Sequence, residues 1–151
     1  MSIFKHNTPD NSTKEMYNKL DFNQKCSFLA MLYVFGQFAR PNIWSMRRAK
    51  QYLKLVSSEL GVSVDDAKRY LENHGQFQGV FLRLMTIKDD RFIELLMFGC
   101  FILCNLAPIP EKKSEAISLL FDTFCQFGYT EDEIKSMLEK NIRRTNLFGW
   151  S

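Results

Sequence analysis

A chain of 151 residues, 46% hydrophobic and 25% charged, is long enough to bury a core and too apolar to be disordered throughout. Fourteen phenylalanines against four prolines and seven glycines point to an aromatic, helical interior and away from an all-β fold. The formal charge of +3 permits an anionic partner without demanding one.

Taken in chain order, residues 1–20 are polar and weakly patterned, a flexible or loosely docked lead-in with room for a short helix over Lys14 to Leu20. No basic region followed by an apolar core opens the chain, so no signal peptide is read and a cytoplasmic location is expected. Asp21, with Gln24 three residues on, forms a capping-box pattern before a greasy helix from Phe22 to about Ala39. Pro41 closes that helix by disfavouring helical geometry at Arg40. Met46, Ala49, Leu53, Val56 and Leu60 then recur at helical spacing and predict an amphipathic helix over Ile43 to Leu60. Gly61 ends it, free to take a left-handed conformation. Ser63 and Asp66 start a short helix over Val64 to Asn73, which His74 and Gly75 close.

Phe77 to Ile87 predicts another helix, with Phe77, Val80, Phe81, Leu84 and Met85 inward. Asp89 or Asp90 caps the greasiest stretch of all, Phe92 to Leu106, apolar on every side of a helical wheel and so expected to be surrounded. Its uninterrupted apolar run, Leu95 to Cys104, is far short of the roughly 20 residues a membrane span needs. Pro108 and Pro110 end it. Glu111 to Phe127 is amphipathic, Gly128 terminates it, and Thr130 with Glu133 caps a last helix from Glu131 to about Ile142. The tail, 143–151, has no helical periodicity.

The order of features occurs twice. A shift of 67 residues lays Phe28–Asn73 on Leu95–Lys140 without a gap, with nine identities in 46 positions. They include Pro41 with Pro108, Leu53 with Leu120, Gly61 with Gly128 and Lys68 with Lys135. The matches fall on turn, cap and core positions. The expected fold is therefore all-α, a single domain of about seven helices over residues 21–142, in two halves of about 22–73 and 90–140 related by a pseudo-two-fold. The two greasy helices should meet at its centre.

The run from Leu84 to Asp90, the run from Ile109 to Ile117, and Phe127 to Glu133 together make the chain resemble the tellurite-resistance TerB and TerB-like family. The resemblance implies an all-α fold of two similar halves. It also implies an Asp-Gly turn after each greasy helix, with carboxylates of the kind that suit calcium. Here Leu106 and Ala107 stand at the second of those turns, and Ala39 and Arg40 at the first. Glu111 and Glu115 remain but make no oxygen cage, so neither metal site nor cofactor is expected.

No catalytic constellation is read: His6 and His74 lack a partner nucleophile, and there is no phosphate loop or nucleophile elbow. Cys26, Cys100, Cys104 and Cys125 all fall in apolar helical stretches, without a Cys-x-x-Cys pair, and are expected to be inert buried thiols. The candidate site is a basic patch of Arg40, Trp44, Arg47, Arg48, Lys50 and Lys54, with no acid between Arg40 and Ser58 and with Trp44 placed to stack under Arg48. Phe148 and Trp150 in the tail are candidate anchors. The expected function is a non-enzymatic interaction domain whose partner is another protein. The alternatives are a small-ligand-binding protein or enzyme with a pocket between the halves, or a peripheral binder of anionic membrane or nucleic acid through helix 43–60.

Overall fold

The computed structural model describes residues 11–38 and 43–145. They form eight helices: α1 Asn11–Asn18, α2 Phe22–Phe38, α3 Ile43–Leu60, α4 Val64–Asn73, α5 Gln76–Leu84, α6 Asp90–Cys104, α7 Pro110–Gln126 and α8 Glu131–Thr145. No strand occurs among the described residues. The fold is all-α, with one helix more than the seven or so expected.

The extra helix is α1. Its Met16 and Tyr17, together with Leu20 just beyond it, are buried, so the second half of the lead-in belongs to the core. Tyr17 sets its ring edge-on to Phe28 at 5.7 Å. Arg91 of α6 brings Nη2 to 3.1 Å from the Met16 sulfur. Three apolar contacts spaced along an otherwise polar segment are too few to register as periodicity, yet they suffice to dock it.

Local chemistry fixes the helix ends. The Gln24 amide donates to Asp21 Oδ1 at 2.7 Å while the Asp21 amide donates to Gln24 Oε1 at 3.0 Å. The same reciprocal box joins Ser63 to Asp66 and Thr130 to Glu133. Caps of this kind are each worth about 1 kcal/mol. Asp89, not Asp90, caps α6, accepting from the Arg91 amide at 2.9 Å. Gly61 and Gly128 take positive φ of 79° and 106°, as helix-ending glycines do.

At a shift of 67 all eight helices pair in order. The bounds of α1 become 78–85 against 76–84 for α5, and those of α2 become 89–105 against 90–104 for α6. Those of α3 become 110–127 against 110–126 for α7, and those of α4 become 131–140 against 131–145 for α8. The recurrence of elements thus begins at α1 and not at the first greasy helix.

Helices α2 and α6 pack together in the middle, and α2 also packs against α3, α4 and α5. Leu29, Leu32 and Phe35 from α2 meet a centre to which α6 brings Leu96, Met97 and Leu103, all essentially sealed from solvent. Each such side chain contributes about 1.5–3 kcal/mol by burial. Gly99 makes the close crossing feasible, because a β-carbon there would lie 2.9 Å from Leu32 Cδ2 and 3.0 Å from the Tyr52 hydroxyl. Aromatic rings join α5 to the end of α7, Phe81 lying 4.7 Å from Phe127. Met85, expected inward, is 45% exposed, because α5 ends at Leu84 and the chain turns outward there. No helix among the described residues is long and apolar enough to cross a membrane.

Candidate functional site

The polar side of α3 is the site to which the sequence points. Leu53, Val56 and Leu60 bury one stripe of this helix, and Tyr52 joins them. The charged residues are left on the other side, where Arg47, Arg48, Lys50 and Lys54 are all exposed. None of the four forms an ion pair among the described residues. Trp44 is 69% exposed. Its partner is Arg47, whose guanidinium carbon lies 5.7 Å from the ring centroid, and not Arg48 as expected. Both are within a turn of Trp44, and the choice between them rests on side-chain rotamers. Arg40, Phe148 and Trp150 lie outside the described residues.

At about 100° per residue, Arg47, Lys50 and Lys54 share one edge of α3 while Arg48 projects about 100° away from Arg47. The patch is therefore split. Its lysine edge turns toward α4 and lines a hollow of about 320 Å³ between α2, α3 and α4. Tyr33 and Gly36 come from α2, Met46, Ala49 and Leu53 from α3, and Val64 from α4. Lys50, Lys54 and Lys68 supply its cations. Lys68 reaches over the ring of Tyr33, its Nζ 5.2 Å from the centroid, an attraction of about 0.5–1 kcal/mol at an exposed position. The hollow lies within the first set of four helices. Lys68 is the member that sequence reasoning missed, since it stands 14 positions beyond Lys54 on another helix.

The remaining candidates have quiet roles. His74 Nδ1 lies 3.1 Å from the Tyr70 carbonyl, and the imidazole stacks on Tyr70 at 4.0 Å, so this histidine closes α4. Cys26, Cys100 and Cys104 are buried, but Cys125 is exposed, because the side of α7 that carries it is left uncovered. Burial pushes the Cys26 thiol up to about 11 and the Cys104 thiol up to about 12. Among the described residues no three or more His, Cys, Asp or Glu side chains converge as a metal site would require.

Fold and geometry together define an all-α protein with a lysine-rimmed hollow beside an exposed Trp–Arg pair. No protein-family model matches the chain, and neither a curated protein nor a solved structure does.

Proposed function

We propose that this is a non-enzymatic helical interaction domain, a TerB-like fold of two similar halves related by a pseudo-two-fold, that docks an acidic partner protein through the basic side of α3. One observation carries the reading: Arg47, Arg48, Lys50 and Lys54 stand exposed without a carboxylate partner among the described residues, next to a largely exposed tryptophan. Like charges crowded on one helix repel, and an acidic partner relieves that repulsion while steering its own approach. Tryptophan and arginine are the side chains most often found at the energetic centre of protein interfaces.

Kinship with the TerB-like family is supported by the recurrence of caps and helix-ending glycines at one fixed shift. That family's acidic turns are no part of the reading. Where the second would fall, Leu106 is half-buried and Ala107 buried, and Glu115 is held by Lys112 at 3.6 Å. Micromolar calcium should leave the melting temperature unchanged, and a clear rise would restore a metal site.

Affinity capture from the native host with the wild-type chain and with Arg47, Arg48 and Lys54 reversed to glutamate tests the docking face. Partners captured by the wild type should be lost from the variant and should wash off as salt is raised. Identical partner sets for the two proteins would remove the proposal.

A further inference from the structure

We infer that the hollow between α2, α3 and α4 seats one bulky apolar side chain of an acidic peptide segment, whose flanking carboxylates pair with Lys50, Lys54 and Lys68. This rests on the docking reading above and names the chemistry of what is docked.

The size of the hollow sets the first limit. At about 320 Å³ it lies at the small end of the ligand-cavity range of roughly 300–1,000 Å³, room for a side chain or two and not for an extended cofactor. Its walls are apolar, supplied by Met46, Ala49, Leu53 and Val64, with Gly36 among them. An apolar seat of this kind takes an aliphatic or aromatic anchor.

Charge sets the second. Lysine stems can cover apolar surface with the ammonium in water, so lysines at a rim need no ligand in themselves. These three, however, come from two helices, and none is ion-paired among the described residues. The acids nearest in sequence, Asp65 and Asp66, do not line the hollow. Asp66 is held instead by Arg69 at 2.6 Å and by its capping box with Ser63. Tyr33 holds the Lys68 ammonium in place, which lessens the ordering cost of pairing it. Lys50 and Lys54 are one helical turn apart, a rise of about 6 Å. Carboxylates two residues apart on an extended strand, about 6.7 Å, or four apart on a helix match that spacing.

The duplication supplies an internal comparison. A shift of 67 carries Lys50, Lys54, Val64 and Lys68 onto Ile117, Phe121, Glu131 and Lys135, and these four line a second hollow of about 290 Å³. Its two further lining residues are Ser118 and Asp122. Three lysines in the first hollow thus correspond to one lysine in the second, which holds two acids as well. An acidic ligand distinguishes the two. A nucleic-acid strand would want stacked aromatic platforms along its track, yet Trp44 lies outside the lining and Lys68 covers the ring of Tyr33.

Panning of the whole protein against a random linear-peptide library tests the proposal, followed by fluorescence anisotropy of the enriched peptide on variants whose melting temperatures match the wild type. The enriched sequences should share a bulky apolar residue flanked by acids. Lys68→Glu, which reverses a charge only at the hollow, and Val64→Phe, which fills it, should each weaken binding about tenfold or more. Lys135→Glu, at the corresponding position of the second hollow, should leave binding within about twofold. If Arg48→Glu and Trp44→Ala abolish binding while Lys68→Glu and Val64→Phe do not, the hollow is wrong and the docking face stands. If none of the four matters, both fall. Enrichment of no acidic motif overturns the proposal. So does tighter binding to phosphatidylserine vesicles or single-stranded DNA than to the peptide.

Discussion

The carbonyl oxygen of His74 sits directly against Gly79, so close that a β-carbon on Gly79 would collide with it. The contact follows from the turn between α4 and α5, where Gly75 and Gln76 both take positive φ, 83° and 59°. That turn folds the chain back over the first residues of α5. Gly79→Ala should therefore destabilise the protein by about 3 kcal/mol or more, since backbone must move to admit the methyl group. Thermal melting should show a fall of about 6 °C or more, at roughly 2–4 °C per kcal/mol for a chain of this size. Gln76→Gly should be neutral or stabilising by up to about 1 kcal/mol, because glycine adopts positive φ without penalty. A Gly79→Ala protein that melted like the wild type would show that the α4–α5 turn is not built this way.

Ser27 is fully buried on α2, and its hydroxyl has no hydrogen-bond partner among the described residues. The position one shift of 67 further on is Glu94. It is partly open to solvent and accepts from Asn141 Nδ2 at 3.0 Å while Lys140 Nζ lies 3.1 Å away. The two central helices thus treat positions 67 apart in opposite ways. An unpaired buried hydroxyl costs about 1–3 kcal/mol, so Ser27→Ala should stabilise by about 1 kcal/mol. Urea unfolding should show a higher midpoint at unchanged slope. A lower midpoint would mean that the hydroxyl is satisfied after all.

Helix bounds were most legible where chemistry is local. Gly61 and the Ser63–Asp66 box separate α3 from α4, and both helices run over the expected residues, Ile43–Leu60 and Val64–Asn73. The bounds of α5 were less so: the chain enters it through positive φ at Gly75 and Gln76, and the helix spans Gln76–Leu84 instead of Phe77 to Ile87. The lysine-rimmed hollow was half legible. Lys50 and Lys54 stand out as an acid-free basic run, but Lys68 meets them only through the packing of α4 on α2, which no spacing within one helix encodes. Cys125 was misjudged for a similar reason: Phe124 and Phe127 make its stretch look apolar, yet exposure depends on which side of α7 has a neighbour.

That misjudged cysteine gives a direct measurement. Cys125 is exposed, whereas Cys26, Cys100 and Cys104 are buried with thiols pushed up by burial. Only the thiolate reacts readily, and access is needed as well. A disulfide reagent at mildly alkaline pH should label one thiol quickly in the native protein and all four after denaturation. Cys125→Ser should abolish the fast phase. Two or more fast thiols in the native protein would contradict the packing of α2 against α6.

Glu59, near the end of α3, is half-buried, and removal from water pushes its carboxyl from 4.5 up to about 7, with the charge of Lys14 on α1 opposing the rise. The sign follows from which state holds the proton more tightly. The folded chain keeps Glu59 protonated in the window from 4.5 to about 7, where the unfolded chain has ionised it. Stability from this group is therefore complete below 4.5 and is lost as pH rises through about 7. Glu59→Gln cannot ionise and should match the wild type at the acid end. Above pH 7 it should be the more stable protein by about 1 kcal/mol, less than the full shift implies because water still reaches the site. Removing the opposing charge, as in Lys14→Ala, should steepen the wild type's loss. Urea unfolding at a series of pH values across the window measures the difference. A gap between wild type and Glu59→Gln that stayed constant with pH would place the carboxylate in water, and with it would go the docking of α1 over the end of α3.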